Sequence, residues 1–169
     1  MPAVTAASQL GNDICLNPAQ AITVWGKLAS TYKPGQIVYE SAAGVWTIQA
    51  NNAGHLQRSG VIGFKPRVGS DFARKDIDDA YTTTEMVPII ISGICICSVT
   101  DQANANLKAG VGLIVSSSAG SLTIVATMFS LHQVAVNLRD VADDDLFTIA
   151  AFGLDMFRAP MYRANFPTA

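Results

Sequence analysis

The amino-acid sequence predicts an all-β protein, a small barrel or sandwich built from two related halves. Three observations support this: β-branched runs alternate with Gly, Ser and Asn turns, helix signals are few, and residues 35–48 resemble residues 112–124. The chain has 169 residues, half of them apolar, which suffices for a buried core without metals or disulfides. We expect one domain at 33–155, an extended N-terminal arm at 1–32 and a C-terminal tail at 156–169.

The charge balance argues against several classes of function. The chain carries 11 Lys and Arg residues against 13 Asp and Glu residues, a net charge of −2. Nucleic acids and anionic membrane surfaces attract a basic footprint, which this sequence lacks. The apolar run at 87–99 is interrupted by Pro88 and Gly93 and is shorter than the roughly 20 residues of a membrane helix. The sequence starts without a basic and hydrophobic leader, so we expect folding in a cytoplasm.

The first thirty residues fit two patterns. Ile22 and Val24 on either side of Thr23 favour a strand, whereas Asn17 before Pro18 is typical of a helix start. Between these alternatives the sequence favours an extended arm.

The first half of the domain begins with a Lys-Pro-Gly turn at 33–35. The expected elements that follow are strands at 36–40, 45–50 and 60–64, a long charged connection at 65–85, and an apolar strand at 89–99. Gly93 inside the last strand predicts a bulge or the close approach of another segment of backbone.

The second half repeats this outline, and the repeat spans 35–99 and 112–152. Its expected elements are strands at 112–115, 121–128 and 131–138, an acidic turn at 139–145, and a strand at 146–152. The alignment places Gly35 against Gly112 and Trp46 against Leu122. Two such halves supply about eight strands, enough to close a barrel or sandwich and to remove most exposed sheet edges.

The cysteines and histidines predict no metal site. Cys95 and Cys97 lack the spacing of a CxxC motif and share one face of a strand, so we expect both to be buried as small apolar residues. His55 and His132 have no second ligand at metal spacing, which favours structural roles.

No catalytic constellation is evident either. Asp140 and the acidic run at 143–145 do not follow the order of a calcium loop, and a solvated turn is favoured over a cation site. The expectation is a protein without enzymatic activity, cofactor or metal.

The aromatic and Arg residues indicate a protein that binds other proteins, because these residue types are enriched at the centres of protein interfaces. The candidate interface residues are Trp25, Tyr32, Tyr39, Trp46, Phe157, Arg158, Tyr162, Arg163 and Phe166. The last five lie in the tail, which we expect to dock on its own barrel or on a neighbour.

Several motifs resemble a known family. They lie at residues 33–38 (Lys-Pro-Gly-Gln-Ile-Val), 60–64, 87–94, 108–115 and 143–150. With these motifs, residues 33–152 resemble the head decoration, or cement, proteins of tailed bacteriophages, which are small β proteins of the β-tulip or barrel type.

The resemblance implies a function on the virion. It implies a homo-oligomer, with a trimer favoured over a dimer, that binds the outer capsid surface and bridges subunits of the major capsid protein. Two other hypotheses stand beside it: an adhesin or fibre module that binds a glycan, and a hydrolase with a dispersed acidic site.

Overall fold

The fold is seen in a computed structural model. It describes residues 3–48, 59–65, 76–100, 107–116, 120–124, 133–142 and 144–153. A short 3-10 helix (Ala7–Gln9) precedes nine strands in this part of the chain. The strands are β1 (Ile22–Leu28), β2 (Ile37–Ala42), β3 (Val45–Ile48), β4 (Ser59–Ile62), β5 (Met86–Ser98), β6 (Gly112–Val115), β7 (Leu122–Ile124), β8 (Ala135–Asn137) and β9 (Phe147–Phe152).

Five strands close into a barrel, which confirms the predicted fold class. The order around the ring is β1-β3-β2-β4-β5, and the first half of β5 pairs with both β4 and β1. β1 runs parallel to β3 and antiparallel to β5. Closure satisfies backbone groups that would otherwise lie on exposed edges. Each strand predicted after residue 35 overlaps one of β2 to β9.

The other strands form a second sheet that grows from the same long strand. Residues 93–98 of β5 pair with β9, and the order continues β9-β8-β6-β7. The far strand returns to the end of β5 through one parallel bridge between Val99 and Leu122. β5 therefore serves both the closed barrel and this second sheet.

The two halves connect their strands in the same order. In each half a hairpin (β2–β3 or β6–β7) pairs antiparallel with a short strand (β4 or β8), which pairs antiparallel with a long one. The second half of β5 occupies the place of β1, because it is antiparallel to the last strand and meets the hairpin in parallel.

The turns that open the hairpins also correspond. Gly35 and Gly110 both have positive φ, 82° and 86°, which glycine adopts without strain. The Gly35 N–H donates to the Ile62 carbonyl (2.8 Å), and the Gly110 N–H donates to the Asn137 carbonyl (2.7 Å). The structural counterpart of Gly35 is thus Gly110, two residues from the Gly112 of the sequence alignment, whereas Trp46 and Leu122 correspond as aligned.

The predicted N-terminal arm is part of the sheet, which corrects the boundary placed at residue 32. Its residues 22–28 form β1, the strand that closes the barrel. Before β1, the Leu16 N–H donates to the Ile94 carbonyl (2.8 Å) and the Ile96 N–H donates to the Ile14 carbonyl (2.9 Å). The partner strand lies some sixty residues downstream, so local sequence could not reveal this pairing.

Gly93 marks the point where β5 passes from the barrel to the second sheet. A Cβ atom there would lie 3.2 Å from both the Ala21 Cβ and the Asn17 Oδ1. The Asn17 Oδ1 accepts a hydrogen bond from the Ile94 N–H (2.6 Å). Side chains of the turn that leads into β1 therefore approach this glycine, and the pairing of β1 with β5 shifts register next to it, between Ile22 and Thr23.

Candidate interaction surface

β1 has two unlike faces. Thr23, Trp25 and Lys27 are exposed, while the alternating residues Gly26 and Leu28 are buried. The Trp25 side chain is 55% exposed, the largest value among the exposed large hydrophobic residues of the described chain.

The first half of β5 continues the outer face. Trp25 lies opposite Pro88, which is buried, and Lys27 lies opposite Met86, which is 43% exposed. Directly opposed residues of an antiparallel pair project from the same side of a sheet. We define the Trp25 face by five residues: Thr23, Trp25, Lys27, Met86 and Pro88.

The inner side of β1 explains why the Trp25 indole is exposed. Trp46, only 1% exposed, fills the barrel beside β1. A methyl group on Gly26 would overlap the indole of Trp46. β1 therefore directs a glycine inward to make room for one tryptophan and presents the other to solvent.

The composition of the Trp25 face suits binding. It combines an exposed indole, thioether and ammonium group over the buried ring of Pro88, and it carries neither carboxylate nor imidazole. Tryptophan contributes much of the affinity at protein interfaces when a partner excludes water from it.

The sequence identified part of this surface. Trp25 was predicted as an interface residue, whereas Met86 and Pro88 were not. The only local signal was their position at the start of a long apolar strand, and the pairing that brings them to Trp25 is long-range.

Of the other predicted aromatic residues, Trp46 is a core residue, so its assignment to an interface is wrong. Tyr32 is half-buried, and its hydroxyl lies 3.1 Å from the Thr47 Oγ1. Tyr39 is half-buried on β2, opposite Thr47 and Ser59. Neither tyrosine adjoins the Trp25 face in the strand pairing.

The predicted tail residues lie outside the described part of the chain. They are Phe157, Arg158, Tyr162, Arg163 and Phe166. Their place at an interface stays a prediction.

The acidic turn before β9 is more ordered than the predicted solvated turn. Asp145 is 1% exposed and forms an ion pair with Arg139. Its Oδ1 accepts a hydrogen bond from the Val4 N–H (2.6 Å), and its Oδ2 accepts one from the Ala142 N–H (3.0 Å). The missing signal was the N-terminal segment, which supplies a donor from the far end of the sequence.

A second aspartate holds the same N-terminal segment. The Asp78 Oδ1 accepts a hydrogen bond from the Ala7 N–H (2.8 Å), and its Oδ2 accepts one from the Ser8 hydroxyl (2.6 Å). Together, Asp78 and Asp145 anchor residues 4–8 to loops of both halves.

Asp140 remains at the surface of the acidic turn. The Ala109 N–H donates to its Oδ1 (3.0 Å), which lowers the pKa of the carboxyl group, and the nearby Lys108 ammonium (3.5 Å) lowers it further. These contacts tie the turn to the start of the second hairpin.

The second sheet encloses a polar pair. The Thr148 hydroxyl donates to the Asn137 Oδ1 (2.7 Å). The Asn137 amide in turn donates to the carbonyls of Leu107 (3.2 Å), Lys108 (3.1 Å) and Arg139 (2.5 Å). All polar atoms of this buried side chain are used within the fold, which makes it a structural feature rather than an open site.

The comparisons add no assignment. A scan against protein-family models and a search of curated proteins found no match to this chain. Within the described ranges, no group of three or more His, Cys, Asp and Glu residues is placed to hold a metal ion. The described part of the chain also contains no helix long and apolar enough to cross a membrane.

Proposed function

We propose that this protein decorates the head of a tailed bacteriophage, binding the outer surface of the capsid through the Trp25 face and bridging subunits of the major capsid protein. The observation that carries the proposal is the exposed, apolar Trp25 face on a closed barrel. The motifs that resemble head decoration proteins support it.

The strand geometry suits a docking surface. Trp25 lies between Thr23 and Lys27 on a strand paired with β5 throughout this stretch and with β3 from Lys27, so little backbone freedom is lost when a partner covers it. Lys27 at one end of the face supplies a positive charge for a carboxylate on the partner. A rigid aromatic anchor with a polar neighbour is the usual composition of an energetic centre.

Many copies on one shell strengthen modest contacts. A homo-oligomer, with a trimer favoured over a dimer, would make its second and third contacts from a tethered position, and tethering raises the effective concentration. Simultaneous contact with neighbouring capsid subunits would then resist their separation.

Co-sedimentation with empty heads of the encoding phage tests this function. We expect the purified chain to pellet with the heads and to raise their temperature of disruption. Trp25→Ser should weaken binding by roughly tenfold or more, the range found for aromatic anchors. Binding is measured by titration of the chain against a fixed amount of heads.

Leu146→Ser is the matched control. Leu146 is 41% exposed and lies beside Val99, at the end of β5 remote from Met86. Binding should remain within about twofold of the unmodified chain, as expected for surface changes outside an energetic centre. The proposal fails if the chain does not bind heads, or if both substitutions weaken binding equally.

A glycan-binding module is the second candidate, favoured by the exposed indole of Trp25. A flat aromatic ring on a rigid strand can stack on the apolar face of a sugar. Binding to a glycan array that Trp25→Ser abolishes, together with no binding to heads, would select this function. Trp46, being buried, is not available for such a contact.

A further inference from the structure

Two cysteines face each other across the strand pairing that holds the N-terminal segment. Cys15 and Cys95 are partners in an antiparallel bridge. The flanking hydrogen bonds run from the Leu16 N–H to the Ile94 carbonyl and from the Ile96 N–H to the Ile14 carbonyl. This pattern makes the cysteines a non-hydrogen-bonded pair, the arrangement in which opposed Cα atoms are closest, about 4.5 Å.

That arrangement meets the main requirement for a disulfide. Bridged cysteines have Cα separations of about 4.4–6.8 Å, and both side chains must lie on one side of the sheet. Directly opposed residues satisfy the second condition. Both residues also pack in the same apolar cluster.

We propose that Cys15 and Cys95 are a redox modification site, which an oxidising medium converts into a disulfide that staples the N-terminal segment to β5. In the structure both residues carry thiols. The inference is independent of capsid binding.

The chemistry is thiol–disulfide exchange with a small disulfide, for which oxidised glutathione is the probe. Cys15 is partly exposed and reacts first: its thiolate attacks the reagent, forms a mixed disulfide and releases one glutathione thiolate. The Cys95 sulfur then attacks the Cys15 sulfur and releases the second glutathione, whose thiolate takes up the proton that Cys95 loses. Two protein thiols are oxidised and one reagent disulfide is reduced, so atoms and electrons balance.

Cys97 is an internal control on the same strand. It lies two residues further along β5, opposite Thr148 of β9, and is fully buried. Cys95 is equally buried, so position separates the two thiols: Cys95 lies opposite Cys15, whereas Cys97 does not. A bond from Cys15 to Cys97 would have to follow the longer diagonal of the strand pair.

The stapled protein should resist unfolding. The bond joins positions far apart in the sequence, and cross-links that close long loops restrict the unfolded chain most. The midpoint of thermal unfolding should rise by roughly 5 °C or more on oxidation, and the rise should reverse with a reductant.

The test oxidises the full chain with glutathione disulfide and digests it with trypsin without reduction. Cleavage after Lys27, Lys75 and Lys108 should release peptide 1–27 joined to peptide 76–108. Because the second peptide holds both Cys95 and Cys97, the digest is repeated on Cys97→Ser, where the joined peptide should persist. It should be absent from Cys15→Ser and from Cys95→Ala.

Thermal unfolding provides the second readout, with circular dichroism to establish that each variant folds. Oxidation should raise the midpoint of the unmodified chain and of Cys97→Ser, but not that of Cys15→Ser. The proposal is overturned by glutathione retained on Cys15 without an internal bond, by a disulfide between two chains, or by loss of the joined peptide in Cys97→Ser.

Discussion

The closed barrel and the second sheet share strand connections but differ in how their interiors are filled. At corresponding places the barrel has Trp46 and Ile62, whereas the second sheet has Leu122 and Asn137. The barrel closes through β1, which pairs with β5 along most of its length and with β3 at Lys27 and Leu28, whereas the far strand of the second sheet contacts the end of β5 at one bridge. The same topology is thus stabilised by an aromatic core in one half and partly by a buried hydrogen-bond network in the other.

The largest loss of stability is expected when the buried tryptophan of the barrel is removed. Trp46→Ala should lower the free energy of unfolding by about 3–5 kcal/mol, because it removes a fully buried indole and leaves a cavity. Leu122→Ala, at the corresponding place in the second sheet, should cost about 2–4 kcal/mol. Urea unfolding followed by fluorescence or circular dichroism measures both. A cost below about 2 kcal/mol for Trp46→Ala would contradict the assignment of Trp46 as the centre of the core.

The second prediction replaces a buried polar residue of the second sheet with the apolar residue found at the corresponding place in the barrel. Asn137→Ile should destabilise the protein by about 2–3 kcal/mol, even though Ile62 fills the corresponding place. The reason is that the carbonyls of Leu107, Lys108 and Arg139 lose their donor. Denaturant unfolding of this variant beside Ile62→Val checks it. A neutral or stabilising Asn137→Ile would mean that the network contributes little.

A smaller effect is expected at the contact between β1 and the core. Gly26→Ala should cost about 1–3 kcal/mol because the new methyl group overlaps the Trp46 indole. Gly44→Ala is the control: its φ is +72° with open space around it, so only the backbone conformation costs energy, about 1 kcal/mol. Thermal unfolding compares the two. In Trp46→Phe, whose ring is smaller, the cost of Gly26→Ala should decrease.

The smallest predicted effect is a dependence of stability on pH, which arises from a buried tyrosine in the first half of the chain. Burial raises the pKa of Tyr81 to about 12, and its hydroxyl oxygen accepts a hydrogen bond from the Lys65 N–H (2.6 Å). Val141, which occupies the corresponding bridge position of the second half, cannot titrate.

Proton binding determines whether stability rises or falls with pH. Between pH 10 and pH 12 the unfolded state has released the phenol proton while the folded state retains it, so stability falls as the pH rises. The loss should reach about 1 kcal/mol at pH 11. It is measured as the difference between the unmodified chain and Tyr81→Phe in urea unfolding at pH 8 and pH 11. The same slope in both proteins would exclude Tyr81 as its source.

The candidate surface was partly predictable. The alternation in β1 identifies one face, but nothing in the sequence near Trp25 or Trp46 tells which indole points outward. That choice depends on Gly26, whose missing side chain leaves the inner volume to Trp46. Met86 joins the surface through a pairing between strands far apart in the chain.

By itself, the sequence determined the local elements: the β-class, the hairpin from Ile37 to Ile48, the strand at 112–115 and the burial of Cys95 and Cys97. These features depend on alternation and turn chemistry, which act over a few residues. Tertiary structure alone decided that β1 closes the barrel, that Asp145 is buried against the N-terminal segment, and that Cys15 faces Cys95. Each of these depends on contacts between distant residues, whose geometry arises only when the whole sheet forms.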